Sequence, residues 1–255
     1  MRKILGIGLL ALAGAAAAQQ PIEETRKANP DAVLRIENVA GSVTVQGWDR
    51  SEIHITGTLG KGTKELDISG DPGRWNIEVE IDEDARNSEG TDLVLRVPRG
   101  ARLEVETVSA DVTVSEYEGP AEIDSVSGRI EIQGRPRALE LATVSGDIRA
   151  ASDRAVREGD LESVSGEIVL EADLEADGRF QFETVSGDIE LRVPARVSAE
   201  FEISTFSGGI TNDFGVEPEK SSPHLPSQEL QFTLGGGGAR VEATTVSGNV
   251  RIGKL

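Results

Sequence analysis

The sequence predicts an all-β fold, a β-solenoid of stacked rungs of about 18–21 residues. Three observations predict it. A six-residue unit recurs seven times. Apolar residues alternate with period two on both sides of each unit, as in half-buried strands. The parity of that alternation flips at the unit itself, which a continuous strand cannot do without a corner or bulge.

The chain opens with Arg2 and Lys3, an apolar run from Ile4 to Ala13, and the small residues Ala16, Ala17 and Ala18. A charged, then apolar, then small order is that of a secretory signal peptide, residues 1–18. The apolar run is too short to span a bilayer, and no later segment reaches the ~20 residues that a spanning helix needs. Residues 19–30 read as an N-terminal linker and 31–255 as one solenoid domain. Regular repeats lie at 103–210 and 241–252, with a loop insertion at about 211–228.

The first copy of the pattern sets Leu34 and Ile36 before Asn38-Val39-Ala40-Gly41-Ser42-Val43-Thr44-Val45. A looser stretch follows, alternating at Ile53 and Ile55, at Ile77, Val79 and Ile81, and at Leu93, Leu95 and Val97. The regular units begin at Thr107, Ser125, Thr143, Ser163, Thr184, Thr205 and Thr245, with spacings of 18, 18, 20, 21, 21 and 40 residues. The last gap is two periods, so a rung there has lost the motif or become a loop. The parity flip puts a corner at the Thr or Ser that opens each unit. On that placement Val126, Val144, Val164 and Val185 form one inward column, and Ile130, Ile148, Ile168 and Ile189 another. The glycines between them, such as Gly146, would face inward in tight packing. Ala110 at the same position in the first regular unit implies that a methyl is tolerated there. An antiparallel β-sandwich or β-prism is the alternative fold; the short, single-type repeat favours the solenoid.

The opening ENVAGSVTVQGWDRSEIHITG at Glu37 to Gly57, followed by tandem TVSGDI units, resembles the bacterial putative-adhesin β-strand-repeat family, long catalogued as a domain of unknown function. The resemblance runs from about Ala32 to Ile252. It implies a β-helical fold and an envelope or surface location, and it offers no catalytic residues to carry over. Some relatives are associated with envelope-stress systems.

Composition narrows function further. The chain has no cysteine, so it has no thiol nucleophile, no thiolate metal site and no cysteine for a lipoprotein anchor. Its formal charge is −19, and loss of Arg2 and Lys3 with the signal peptide makes it −21. Such a charge repels nucleic acid and anionic lipid. The expected location is periplasmic, secreted or cell-surface.

Candidate chemistry is sparse. His54 lies in a strand and His224 beside Pro223 and Pro226, with no zinc-ligand spacing and no nucleophile elbow. Asp111, Asp147, Glu167 and Asp188 hold equivalent outward positions, a ladder that calcium could bridge or that simply faces solvent. Trp48, Trp75 and Tyr117 read as caps over the core rather than sugar-stacking platforms. No catalytic, cofactor-binding or metal residue is therefore expected. The function expected is non-catalytic binding or scaffolding, with an envelope protein or glycan as partner. The alternatives are a scaffold that self-associates end to end through the solenoid ends, and a polysaccharide-active β-helix enzyme. The irregular C-terminal features, Val216 to Ser227 and Gly235 to Gly238, lie beside a last rung expected to be barely capped.

Overall fold

The computed structural model describes residues 20–82, 89–220 and 226–255. The expected signal peptide and His224 lie outside them. The described residues carry strands and no helix. The first group is β1 (Gln20–Lys27), β2 (Val33–Trp48), β3 (Glu52–Leu59), β4 (Thr63–Asp71), β5 (Arg74–Ile81) and β6 (Thr91–Pro98). The middle group is β7 (Arg102–Tyr117), β8 (Ala121–Ser125), β9 (Ile130–Gly134), β10 (Ala138–Thr143), β11 (Ile148–Ser152), β12 (Val156–Ser163), β13 (Ile168–Glu171), β14 (Leu174–Thr184) and β15 (Ile189–Val193). The last is β16 (Ala199–Ser207), β17 (Ile210–Asn212), β18 (Glu219–Lys220), β19 (Gln228–Leu234), β20 (Ala239–Ser247) and β21 (Val250–Lys254).

Each repeat forms a rung: a strand in a first sheet, a corner, and a strand in a second sheet. Successive rungs pair in parallel. In the first sheet β7, β8, β10, β12 and β14 pair in turn, and in the second β7, β9, β11, β13 and β15. The β-solenoid expected from the repeat is therefore present. Its core lies between the sheets and is built almost wholly of Val, Ile, Leu, Ala and Phe. Residue sizes compensate between rungs. Phe180 stacks on Gly159 and Val241, and Phe182 on Leu161 and Ala243. A Cβ at Gly159 would stand 2.8 Å from the Phe180 ring, so the ring fills the space that glycine leaves.

The corner lies elsewhere than the parity placed it. Ile130, Ile148, Ile168 and Ile189 form the buried column expected. Val126, Val144, Val164 and Val185 do not: each is 44–48 % exposed. The residue that turns inward is the hydroxyl residue before each valine. Ser125, Thr143 and Ser163 are buried, and their Oγ atoms accept from the amides of Gly128, Gly146 and Gly166 at 2.8–3.0 Å. That bond closes a tight turn and satisfies an amide that the ladder leaves free. Valine and serine then both face solvent, and alternation resumes at the glycine. The flip is real, but it spans the Val-Ser pair.

Packing at the glycine is closer than the Ala110 substitution suggested. A Cβ on Gly146 would stand 1.9 Å from the Gly128 carbonyl oxygen, on backbone that cannot yield. Ala110 fits because β7 runs unbroken through its corner, and Ala110 pairs with Gly41, which has φ +107°. The later corners are turns.

Chain order and spatial order part at both ends. The rung of β20 and β21 sits between that of β14 and β15 and that of β16 and β17. The final motif is thus interior, not barely capped. The 40-residue gap is filled by β17, β18 and antiparallel β19, which pairs with β16 and closes that end. At the other end β2 lies between β7 and the pair β5 and β6. Beyond these, β4 pairs with β5, and β3 with β6, both antiparallel. Residues 20–27, read from sequence as linker, are β1, paired antiparallel with β3.

Candidate binding face

The outer face of the first sheet is set by the residues one and three before each corner hydroxyl, because these alternate outward from the buried column. In register, the column three before runs Glu104, Glu122, Glu140, Asp160, Gln181, Glu242, Glu202. The column one before runs Glu106, Asp124, Ala142, Glu162, Glu183, Thr244, Ser204. Cross-strand neighbours stand about 4.8 Å apart, where like charges facing one another destabilise a sheet.

Cations relieve only the margins of this face. Arg102 pairs with Glu104 and Glu122, Arg74 with Glu104, and Arg35 with Glu106. Among the described residues no ion pair reaches Asp124, Glu140, Asp160, Glu162 or Glu183. Burial lifts the carboxyls of Asp124, Asp160 and Glu162 above the ordinary carboxylate range. Neighbouring carboxylates add to the shift: Glu122 on Asp124, Glu183 on Asp160, and Asp160 and Glu183 among others on Glu162. Two open depressions lie on this face. One, of about 560 Å³, includes Glu122, Glu140, Asp160, Arg179 and Gln181 in its lining. The other, of about 530 Å³, reaches the corner and takes in Asp124, Glu162, Glu183, Val144, Val164 and Val185.

Along the edge of that second depression runs an apolar ridge. In spatial order it is Val39, Val108, Val126, Val144, Val164, Val185, Val246 and Phe206, each 41–53 % exposed. Backbone bonds fix its spacing: Ser127 N donates to Val108 O at 2.8 Å, and Ser145 N to Val126 O at 2.9 Å. From Val108 onward each ridge residue is followed by a serine, and these form a parallel column of small polar side chains.

The candidates raised by the sequence do not gather here. The column of Asp111, Asp147 and Asp188 serves the solenoid: each Oδ1 accepts from the amide of the equivalent residue in the next rung, Arg129, Glu167 and Asn249, at 2.7–3.1 Å. Asn249 Oδ1 does the same for Gly209 at 3.0 Å. Burial works to raise the Asp147 carboxyl, but the Glu167 amide and the Arg149 guanidinium outweigh it and hold it below the ordinary range. His54 Nδ1 lies 3.1 Å from Thr25 Oγ1, and its ring stacks on Trp48. Trp75 is buried and donates to the Lys27 carbonyl. Tyr117 is fully buried, its hydroxyl reaching the carbonyl oxygens of Ala101 and Pro120, and burial pushes its ionisation far up. No group of three or more His, Asp or Glu among the described residues has the geometry to hold a metal. No helix among them is long and apolar enough to cross a membrane.

Solved structures with a related architecture include a putative adhesin from Bacteroides fragilis, 12 % identical, covering 93 % of this chain and 98 % of that one at a TM-score of 0.47. A putative cell adhesion protein from Clostridium sporogenes is 9 % identical, with 92 % and 100 % covered and a TM-score of 0.38. A putative lipid binding protein from Parabacteroides distasonis is 12 % identical, with 91 % and 96 % covered and a TM-score of 0.40. No curated protein matches the sequence. The Toastrack DUF4097 family model matches residues 32–253, which takes in every motif copy and both sheets. The chain belongs to the Toastrack DUF4097 family.

Proposed function

We propose that this is an exported, non-catalytic protein of the cell envelope that binds a partner through the outer face of its first sheet. One observation carries the reading. Carboxylates recur at the same two outward positions rung after rung, where they repel one another and contribute nothing to the core. Surface features that cost stability without serving the fold belong to function. The candidate acids and His54 have structural partners or no neighbour with which to form a catalytic pair, which supports binding over catalysis. The signal-like N-terminus supports export.

Self-association through the ends is the weaker reading. Both ends finish in antiparallel strands, with charged side chains on β1 and β4 and Pro21 on β1. Such edges oppose the addition of another strand.

Site-specific photocrosslinking in the native envelope tests the proposal. A probe at Glu140 is expected to yield a discrete partner adduct, and a probe at Glu131 on the opposite face none. Equal labelling from both positions, or recovery of the protein in the cytoplasm with Met1 intact, would overturn it.

A further inference from the structure

The carboxylate columns and the valine ridge are separate products of the repeat, yet they lie side by side. Asp124, Glu162 and Glu183 stand two residues before Val126, Val164 and Val185, about 6.6 Å away along the strand. The 530 Å³ depression joins the two stripes. From Val39 to Phe206 the ridge crosses eight rungs, about 34 Å at about 4.8 Å each. Isolated exposed valines are ordinary, but a continuous file of them beside a file of unneutralised acids is not.

We propose that this surface docks a cationic amphipathic helix of a polypeptide partner, laid along the solenoid axis with its apolar stripe on the valine ridge and its Lys or Arg stripe on the carboxylate column. The inference rests on the first-sheet face being the binding face, and it names the partner class. Repeat length selects the helix. A helix advances about 5.4 Å per turn, close to the rung spacing, so its turns track the rungs with a slip of only about one rung over the ridge, whereas an extended peptide repeats on one face only every ~6.8 Å. A span of 34 Å corresponds to about 22 helical residues. The serine column on the far side of the ridge is small and uncharged, and it lets a helix backbone approach. Charge excludes the other occupants. A second copy brings the same acids, and the chain's charge of −19 repels anionic lipid and nucleic acid. Burial of an apolar stripe supplies affinity, and the carboxylates fix which face of the helix turns inward.

The test is titration of the mature protein with a synthetic 22-residue helical peptide carrying adjacent Leu and Lys stripes. The controls are a scrambled peptide of identical composition and a soluble cationic polysaccharide. The expected result is binding of the striped peptide at least tenfold tighter than the scrambled one. Val144→Ser/Val164→Ser should weaken it about tenfold without changing its salt dependence. Asp124→Asn/Glu162→Gln/Glu183→Gln should weaken it similarly and flatten the salt dependence. Glu131→Gln/Glu190→Gln on the opposite face should leave it unchanged. All substituted positions are on the surface, and urea midpoints verify that each variant folds. Equal affinity for striped and scrambled peptides, or for the polysaccharide, would overturn the proposal, as would valine variants that bind like wild type. If Glu140 still crosslinks a partner in the envelope when the peptide fails, the binding face stands and only the partner class falls.

Discussion

The two sheets share one core and one period, yet their outer faces order charge in opposite ways. On the second sheet guanidiniums alternate with carboxylates. Arg149 pairs with Asp147 and Glu167, Arg192 with Glu171 and Glu190, and Arg251 with Glu190 and Asp213. On the first sheet the acids of the middle rungs, Asp124, Glu140, Asp160, Glu162 and Glu183, have no ion-pair partner among the described residues. The second sheet shows what the solenoid needs from a solvent face, namely cross-rung neighbours that do not repel. The first sheet departs from that pattern in the same place on successive rungs, so its charge is not a by-product of the repeat.

Some changes would break both faces together, and these are the largest. Gly146→Ala should lower the urea midpoint by an amount equivalent to about 1–3 kcal/mol, because its methyl meets the Gly128 carbonyl, and Gly146→Val should cost at least as much. Gly248→Ala should match Gly146→Ala, since that rung is interior and its Cβ would stand 2.0 Å from the Gly187 oxygen. A wild-type midpoint for Gly146→Ala would refute the corner described here. Next in size, Thr143→Val should cost about 1 kcal/mol, because it keeps the shape but leaves the Gly146 amide without its acceptor.

Smaller changes separate the faces by sign. Arg149→Met should destabilise by up to about 1 kcal/mol, since it leaves Asp147 and Glu167 unpaired on a half-exposed surface. Glu162→Gln should stabilise by about 0.5 kcal/mol at neutral pH, since it removes repulsion from Asp160 and Glu183. Thermal melts of the two variants decide it, and equal signs would erase the distinction between the faces. The smallest effect is the pH dependence of that gain. The folded chain binds a proton at Glu162 more readily than the unfolded chain does, so this group's contribution to stability rises as pH falls through its raised pKa. The advantage of Glu162→Gln over wild type should therefore shrink as pH falls through that raised value and be gone once pH lies below the ordinary glutamate range. Asp147 has the opposite sign: its carboxyl is held low, so its stabilising contribution is lost as pH falls through the folded value. Asp147→Asn should accordingly be closest to wild type in acid.

The rung, the isoleucine column and the all-strand character of the described residues were legible because alternation and period follow directly from strand geometry. The valines were misplaced because parity says that a flip occurs but not over which residues. The signal for the right answer was present: only Ser or Thr opens the seven regular units, which marks a buried hydroxyl rather than an exposed corner. The acidic face was missed in favour of the Asp111, Asp147, Glu167 and Asp188 column, though its signal stood at the positions one and three before each Ser or Thr, as in Glu122-Ile123-Asp124 and Asp160-Leu161-Glu162. The order of rungs at the ends was not legible. A motif records its place in a rung, not which neighbour it pairs with, and β20 carries the same motif wherever it is inserted.

That insertion binds the history of the chain to its architecture. A tandem solenoid can form from its first rung onward while the rest of the polypeptide is still being made or threaded across a membrane. Here β14 and β16 each present a bare edge until residues 239–254, which follow both in the sequence, slide between them. Losing those residues would leave not a shorter protein but one with a gap through both sheets. The fold thus closes only once β20 and β21 are in place between neighbours that precede them in the sequence.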